Sequence, residues 1–373
     1  MKLWVGALAG AGLAAAVAAA SPAKAEELRI VIGLPGDYAL VHAMQKFADQ
    51  VERRTDGAYT GKVYAGSLLT FAETMSGVRD GIAAIGFVPT GYHRAEFPNS
   101  NLVVDLATAT NDPVVMAGAA NEFMFACKPC LAEYAAQNQV FLGLAVIGPY
   151  YLASKQKVQV PADFKGRKYR GFGPYGRWAA AMGATAVATV TANDVYEAIS
   201  QGHLDGNIHT VDALKTMSLG DVTDYLLNEP VGLYNGNSMF NLNREVWDGL
   251  SAEQKRQFLL AAGEASAYAT VAYYAENMAH LNNAASLGVQ VIEPSPELRA
   301  ASQKFRQEDL TTVAKLNREQ YGIADAEAQV QELLRLVAKW ETLASKVDRS
   351  DAKAVGELYN REIFSKVDPS VLD

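Results

Sequence analysis

The chain has 373 residues with 33 basic and 41 acidic side chains, which gives a formal net charge of −8 at pH 7. An acidic protein is repelled by nucleic acids and by anionic membrane surfaces, so neither is expected as a partner. A protein of this charge that binds an anion must concentrate positive charge locally, which directs attention to internal arginines.

The first 25 residues predict an export signal. Lys2 precedes an apolar run rich in Ala and Gly from Leu3 to Ala20, and Ala23-Lys24-Ala25 has the small-x-small pattern of a cleavage site. A membrane anchor is the alternative, but the run is short and glycine-rich for a stable span. We expect cleavage after Ala25 and a periplasmic chain of about 350 residues, which is long enough for two lobes.

Strands and helices alternate through the first part of the mature chain. Hydrophobic periodicity and turn signals predict strands at 27–34, 59–64 and 82–88, separated by helices at 37–54 and 70–81. The third strand is apolar without a polar face, as expected of a strand covered on both sides. The order β-α-β-α-β indicates an α/β lobe with a mostly parallel sheet.

The middle of the chain repeats this pattern and predicts a second lobe. Short apolar runs again alternate with helical segments and glycine turns. The predicted strands span 141–147, 150–154, 168–171, 186–190 and 206–209, and the predicted helices span 177–182 and 194–200.

The pattern changes after Asn235. Residues 238–243 predict a strand that returns towards the first lobe, and the capping pattern Ser251-x-x-Gln254 opens a helix that extends to about residue 285. The remaining predicted elements are a strand at 289–292 and helices at about 296–320, 324–347 and 351–364.

The predicted division of the chain crosses between the lobes more than once. Lobe I comprises 26–148 and about 233–275, and lobe II comprises 149–232 and about 276–373. No low-complexity linker separates the two. The crossings are therefore expected to be short and structured, which suits a hinge better than a flexible tether.

The only two cysteines, Cys127 and Cys130, are three positions apart. In an oxidising compartment this spacing predicts a structural disulfide. A redox-active pair at a helix start is the alternative, because the helix dipole favours a thiolate there. The residues before the pair lack the aromatic-Cys context of a thioredoxin-like site, which favours the structural interpretation.

The segment Gly171-Phe-Gly-Pro-Tyr-Gly176 has the G-x-G-x-x-G spacing of a dinucleotide site, with Asp194 about twenty residues further on. The preceding strand, 166–170, is too charged for the buried first strand of such a fold. Pro174 also restricts the loop that would offer its amides to a pyrophosphate. We interpret the segment as a glycine-rich turn whose helix-start amides would help to bind a carboxylate.

Arg170 ends a predicted strand immediately before that turn. A guanidinium holds a carboxylate well, because its planar fork donates two parallel hydrogen bonds and stays charged. An ordinary surface charge is the alternative. Tyr150, at a strand start, and His209, after an Asp-Gly turn, are further candidates to contact a ligand in a cleft.

Catalytic motifs are scarce in this sequence. The five histidines show no metal-ligand spacing, and no G-x-S-x-G nucleophile elbow occurs. We therefore expect no enzyme activity, no cofactor and no metal site. The leading hypothesis is a binding protein for a small molecule.

Several motifs resemble the periplasmic substrate-binding proteins of TRAP (tripartite ATP-independent periplasmic) transporters of the dicarboxylate-binding type. The resemblance runs from Leu28 to about Lys366 and is clearest in a few segments. These are Val51-Glu-Arg-Arg-Thr-Asp-Gly57, Gly66-Ser-Leu-Leu69, Gly77-Val-Arg-Asp-Gly81, Phe164-Lys-Gly-Arg-Lys-Tyr-Arg170, Asp194-Val-Tyr-Glu-Ala-Ile-Ser-Gln-Gly202, Asp205-Gly206 and Trp247-Asp-Gly-Leu-Ser-Ala-Glu-Gln254.

The resemblance implies a two-lobed α/β periplasmic binding protein fold with a long helix that spans both lobes. It implies that Arg170 pairs with a ligand carboxylate. Tyr150 lies where sialate binders often have a basic residue, and His209 lies where they have an asparagine. Both departures disfavour sialic acid and favour a smaller acid, either aromatic or carrying a hydroxy or keto group. The other expected ligand contacts are Tyr92, Tyr38, Phe172 and Asn207.

The implied mechanism is capture without chemistry. A ligand that bridges both lobes favours the closed state, which would then dock on the membrane permease subunits of the transporter. The alternatives are a thiol–disulfide oxidoreductase that uses Cys127 and Cys130, and a sensor module that presents its ligand to a membrane receptor. The oligomeric state is open, with a homodimer among the options.

Overall fold

The computed structural model describes Met1 and residues 25–373, so the predicted export signal lies outside the described residues. Ten strands in this part of the chain form one sheet. They are β1 (Glu26–Ile32), β2 (Tyr59–Ala65), β3 (Ile85–Pro89), β4 (Gln139–Phe141), β5 (Leu144–Ser154), β6 (Lys168–Arg170), β7 (Thr185–Val187), β8 (Gly206–His209), β9 (Tyr225–Asn243) and β10 (Gln290–Ile292).

The sheet has two parallel halves joined by two long antiparallel strands. Its order is β2-β1-β3-β9-β5-β8-β6-β7, while β4 and β10 pair with β9 outside this path. The first half of the sheet (β2, β1, β3) and the second half (β8, β6, β7) are each parallel internally. Strands β9 and β5 run antiparallel to each other and to the halves they border. The two connecting strands therefore link both halves without a flexible tether.

Residues 25–373 contain thirteen α-helices. They are α1 (Ala39–Arg54), α2 (Phe71–Arg79), α3 (Ser100–Asp105), α4 (Pro113–Ala126), α5 (Lys128–Ala136), α6 (Gly173–Ala181), α7 (Val195–Ser200), α8 (Ala213–Thr216), α9 (Arg244–Gly249), α10 (Ala252–Asn282), α11 (Pro296–Tyr321), α12 (Ala326–Ala344) and α13 (Ala352–Tyr359). No helix among residues 25–373 is long and apolar enough to cross a membrane.

The long helix α10 touches both halves of the sheet. Its first part packs against α1, where Phe258 meets Phe47 edge to face with ring centroids 6.1 Å apart. Towards its end, Asn277 accepts a hydrogen bond from the backbone N–H of Val211 at 2.6 Å and donates one to the carbonyl of Pro149 at 3.1 Å. The buried amide thus ties the helix to the segment that follows β8 and to the bend inside β5.

The C-terminal helices return to the first part of the chain. Trp340 of α12 is buried and donates to the carboxylate of Glu122 on α4 at 2.8 Å. Gly118 permits this contact, because a Cβ there would lie 2.3 Å from the Trp340 ring. Trp340 belongs to the predicted lobe II, whereas α4 belongs to the predicted lobe I. The lobe boundaries remain a prediction.

The predicted strands and helices occur in the predicted order, and the structure adds the helices α3, α4, α5, α8 and α9, which were not predicted. The separate strands predicted at 141–147 and 150–154 are mainly one strand, β5, which continues through a bend at Gly148-Pro149. Strand β9 begins at Tyr225, well before the predicted 238. Helix α4 was not predicted, because its residues are apolar apart from Asn121 and Glu122 and show no helical period.

Candidate functional site

A cavity of about 540 Å³, open solvent at its mouth included, lies between the two halves of the sheet. Its walls are mainly aromatic and aliphatic, with a small number of polar groups, which is the usual character of a small-molecule site. The lining residues are Leu34, Leu40, Phe71, Phe87, Pro89, Tyr92, Ile147, Tyr150, Arg170, Phe172, Ala192, His209, Asp212, Thr216, Met217, Tyr234, Asn237 and Tyr273.

Arg170 supplies the positive charge of this cavity. Strand β6 ends at this residue, and its side chain is 1% exposed. Nε donates to the carbonyl of Val190 at 3.1 Å, and Nη2 donates to the hydroxyl of Tyr92 at 3.1 Å. Nη1 has no partner among the described residues, and none of their carboxylates forms an ion pair with this guanidinium. A buried charged donor without an acceptor is costly, so the arrangement is suited to an external anion.

Tyr92 connects the first half of the sheet to this arginine. It lies just after β3, and its hydroxyl oxygen accepts hydrogen bonds from Arg170 Nη2 and from the backbone N–H of Ala192, at 3.1 and 3.2 Å. Both lone pairs of the oxygen are thereby occupied. The hydroxyl proton has no acceptor among the described residues and is available to a ligand.

Aromatic rings form the wall around the guanidinium. The Phe172 ring lies 5.2 Å from Arg170 Cζ and meets Tyr92 and Tyr234 edge to face. The Tyr150 ring stacks on Tyr234, with centroids 5.9 Å apart. Burial raises the pKa of Tyr150 and Tyr234 well above the usual range, so both phenols stay neutral and are able to donate hydrogen bonds.

Two further donors line the cavity without a partner in the described chain. These are the hydroxyl of Tyr234 and the side-chain nitrogen of Asn237, both on β9. Together with Arg170 and Tyr92 they give the cavity a surplus of hydrogen-bond donors. Such a surplus matches an anionic ligand better than a cationic one.

His209 ends β8 and stacks on the opposite side of Tyr150, with ring centroids 4.8 Å apart. Its Nδ1 lies 2.8 Å from the hydroxyl oxygen of Thr210. Burial, together with the positive charge of Arg170, lowers the pKa of His209 to about 3. The imidazole is therefore neutral at physiological pH, and it acts as a hydrogen-bonding group rather than as a second cation.

Five of the seven predicted ligand contacts line one cavity, and two do not. Arg170, Tyr150, His209, Tyr92 and Phe172 are brought together. The hydroxyl of Tyr38 instead donates to the carbonyl of Thr216 at 3.3 Å, beside the cavity. Asn207 lines a smaller neighbouring cavity of about 190 Å³, where its side-chain oxygen and nitrogen are buried without a partner in the described chain.

Arg177 and Trp178, which follow the glycine turn, make contacts that hold helices together. Arg177 donates to both carboxylate oxygens of Asp309, at 2.6 and 2.9 Å, and to Asp105 at 3.1 Å. Asp105 also accepts from Arg94. Trp178 is buried and donates to the hydroxyl of Ser302 at 2.9 Å. These contacts fasten α6 to α3 and α11 outside the cavity.

The glycine spacing is explained by close packing of β6 against α6. A Cβ at Gly176 would lie 2.7 Å from the carbonyl oxygen of Gly171, so a larger residue would push the helix away from the strand. The turn thereby brings Arg170 and Phe172 into the cavity. This packing role accounts for the pattern without a dinucleotide.

The two cysteines form a disulfide, as predicted. Cys130 is fully buried and Cys127 is 7% exposed, and the first turn of α5 begins between them. The pair lies away from the lining of the ligand cavity. Among residues 25–373 no group of three or more His, Cys, Asp or Glu side chains is placed to hold a metal ion.

Sequence reasoning missed the contribution of β9 and of the segment after β8. Tyr234 and Asn237 lie in a run, 232–237, whose glycines and asparagines read as a loop rather than as a strand. Asp212 follows the carboxyl end of β8 by three residues. Ligands of α/β sheets bind at this end of parallel strands, and that rule was the available signal.

A family model matches residues 34–316, most of the described chain, and its description is "Bacterial extracellular solute-binding protein, family 7", the DctP family. The chain belongs to this DctP family. Membership confirms the two-lobed binding-protein fold and the resemblance found in the sequence. It identifies an extracytoplasmic receptor for a solute, which is consistent with the predicted export.

Individual relatives of this DctP protein are distant in sequence but similar in fold. A solute-binding protein of Albidiferax ferrireducens is 24% identical over 235 residues, which cover 61% of this chain and 67% of the relative. Two TRAP solute-binding proteins of known structure are also similar. The protein from Bordetella bronchiseptica, with bound (R)- and (S)-mandelate, is 21% identical, with a TM-score of 0.71 over 84% of this chain and 99% of that one. The protein from Rhodoferax ferrireducens, with copurified benzoate, is 20% identical, with a TM-score of 0.73 over 85% of this chain and 99% of that one.

Proposed function

We propose that this protein is the periplasmic solute-binding subunit of a TRAP transporter, and that it captures a small organic acid in the cavity around Arg170. One observation carries the proposal. Arg170 Nη1 is buried, charged and without a protein acceptor among the described residues. A ligand carboxylate would supply the missing acceptor, with Tyr92 as a second donor. Charge-assisted hydrogen bonds of this kind are the strong ones.

The proposed ligand has a compact, largely apolar body. Phe172, Tyr150 and Tyr234 surround the guanidinium, and aliphatic side chains line the rest of the cavity. These walls suit an aromatic or short aliphatic acid and offer little to a polyhydroxylated sugar acid. Two of the structurally similar proteins have mandelate or benzoate bound, which supports the same class here.

Closure would follow from contacts that join the two halves of the sheet. Tyr92 bonds to Arg170 and to Ala192, while Tyr38 bonds to the carbonyl of Thr216. A carboxylate held by Arg170 and Tyr92 together would add to these contacts only when the halves are close. The ligand therefore binds the closed state more tightly and shifts the population towards it.

The closed form would deliver its ligand to membrane permease subunits, with no chemical change to the ligand. Export would remove the first 25 residues, with cleavage after Ala25. The two lobes proposed from the sequence would then close about the connecting strands β5 and β9.

A thermal-shift screen of the mature protein, refolded to remove any bound solute, tests the proposal. The panel holds aromatic, hydroxy, keto and aliphatic monocarboxylates, dicarboxylates, neutral sugars and NAD. An acid at a hundred times its Kd should add about 2.7 kcal/mol of stability, which raises the Tm by a few degrees. The shift should vanish in Arg170→Gln and persist in Arg167→Gln, a more exposed arginine three residues earlier. Shifts with NAD or a neutral sugar, and none with any acid, would refute the proposal.

A further inference from the structure

A chain of three hydrogen bonds runs from His209 to a buried carboxylate. His209 Nδ1 lies 2.8 Å from Thr210 Oγ1, which lies 3.0 Å from Tyr273 Oη, and that oxygen lies 2.8 Å from Asp212 Oδ1. Thr210, Tyr273 and Asp212 are all buried. We call these three residues and His209 the relay. Three elements contribute to it: the end of β8, the turn after β8, and α10.

The carboxylate sets the direction of every hydrogen bond in the relay. Asp212 accepts from Tyr273 on Oδ1 and from Thr216 on Oδ2, the latter at 3.4 Å, so both oxygens act as acceptors. Each hydroxyl has a single proton. Tyr273 gives its proton to Asp212, so the Tyr273 oxygen receives the proton of Thr210. The Thr210 oxygen must then accept from His209 Nδ1–H.

This order of donors determines the tautomer of His209. A neutral imidazole has one N–H and one bare nitrogen, and here the proton is on Nδ1. Nε2 is then an acceptor, and it has no hydrogen-bond partner in the part of the chain that the structure describes. His209 lines the ligand cavity, and so does Asp212. The groups around Arg170 donate, whereas this side of the cavity accepts.

We infer that the ligand carries a hydrogen-bond donor, a hydroxyl or an N–H, which Nε2 of His209 accepts while Arg170 holds the carboxylate. The ligand is then a hydroxy or N–H-bearing monocarboxylate. A second ionised carboxylate would meet the acceptor oxygens of Asp212 and the bare Nε2 of His209, and neither offers it a proton. This inference deepens the proposed function and rests on it, since it names the substrate class of the same site.

The tautomer is measured first, without any ligand. A long-range ¹H–¹⁵N spectrum of the refolded protein with ¹⁵N-labelled histidine distinguishes a protonated from a bare ring nitrogen, and His209→Gln identifies the signals of His209. The expected result is a protonated Nδ1 and a bare Nε2. Tyr273→Phe should cancel this preference, while Tyr274→Phe, on the adjacent exposed ring, should preserve it. A proton on Nε2 in the unmodified protein would overturn the inference.

The specificity is measured with acids that differ only in the donor. Calorimetry compares mandelate with phenylacetate, 3-hydroxybenzoate with benzoate, and lactate with propionate. Within the pair of acids that binds, the acid with the hydrogen-bond donor should have a Kd about tenfold lower, because the other acid would cover Nε2 without pairing it. Tyr273→Phe should reduce this ratio to within about twofold, and Tyr274→Phe should leave it unchanged.

The outcomes separate this inference from the proposed function. Equal affinities, or tighter binding of the acid without the donor, together with dependence on Arg170, would overturn the donor requirement and leave the proposed function intact. Binding of none of the acids in the panel would refute the proposed function and this inference with it. If Tyr273→Phe fails to fold, Thr210→Val removes the same link and gives the same test.

Discussion

Two arginines seven residues apart have opposite surroundings. Arg177, on α6, donates to the carboxylates of Asp309 and Asp105, which are almost fully buried. Arg170, at the end of β6, has only neutral oxygens as partners and keeps Nη1 unpaired in the described chain. Both charges come from one strand-turn-helix segment, yet only one is neutralised by the protein.

The difference separates a structural arginine from the arginine that we propose as the ligand-binding one. The two charges of a buried ion pair neutralise each other, and removing one partner leaves the other charge buried and uncompensated. A buried arginine without an anion is stable only because its carbonyl and hydroxyl partners hold it in place. It gains its full set of interactions when an anion arrives. The contrast predicts that one arginine controls folding and the other controls binding.

Replacing Arg177 should produce the largest change in stability. Arg177→Met leaves Asp309 buried without a cation, and the free energy of unfolding should fall by about 3 kcal/mol. Chemical denaturation measures this loss. Arg335→Met is the matched control, since it removes an exposed pair with Glu332 and should cost less than about 0.5 kcal/mol. Similar losses in the two variants would contradict the structural role of Arg177.

Replacing Arg170 should have the opposite effect, with a large loss of ligand affinity and a smaller loss of stability. Arg170→Gln should weaken binding of the best acid of the panel about a hundredfold, because it removes charge-assisted hydrogen bonds to the carboxylate. The ligand-free variant should lose less stability than Arg177→Met. Calorimetric titration and denaturation of the same samples give both values. A variant that unfolds as readily as Arg177→Met and still binds the acid would reverse the assignment.

The neutral His209 predicts a pH dependence of stability. Its pKa is about 3 in the folded protein and about 6.5 in the unfolded chain, so the unfolded chain binds the additional proton between these values. Stability should therefore fall as the pH drops below about 6.5, with a cost of about 2 kcal/mol by pH 5. In His209→Gln this part of the slope should be absent. Identical slopes in the two proteins would show that His209 is not buried as a neutral ring.

Removing one hydroxyl should have the smallest of these effects. Tyr92→Phe deletes the oxygen that accepts from Arg170 and Ala192 and the proton offered to the ligand. Affinity for the carboxylate should fall about tenfold. Tyr196→Phe, on an exposed ring of α7, should leave the affinity unchanged. An unchanged affinity in Tyr92→Phe would exclude Tyr92 from the site.

Local signals predicted the parallel halves of the sheet and the position of Arg170. Periodicity and turn residues located β1 to β3 and β6 to β8, because these elements follow one another along the chain. Arg170 was a candidate because it ends a predicted strand before a glycine turn, and His209 because it follows an Asp-Gly turn. Tyr38 and Asn207 were also predicted as contacts and lie beside the cavity.

The contacts that the sequence could not reveal are between distant segments. Tyr273 reaches the site from α10, more than sixty positions after Thr210, and nothing local marks it as a relay member. Arg177 and Arg170 also look alike in sequence, since the carboxylates that distinguish them are supplied by Asp105 and Asp309 from other parts of the chain. The role of each arginine is set by whether a distant segment of the chain supplies a carboxylate to pair with it.

A crystal structure with the tightest-binding acid tests the central claim most directly. A carboxylate oxygen should lie about 2.7–2.9 Å from Arg170 Nη1, as in charge-assisted hydrogen bonds, with its partner oxygen near the Tyr92 hydroxyl. Arg177 should keep its contacts to Asp309 and Asp105. An acid bound elsewhere, or bound in this cavity with its carboxylate turned away from Nη1, would contradict the assignment of Arg170 as the ligand-binding arginine.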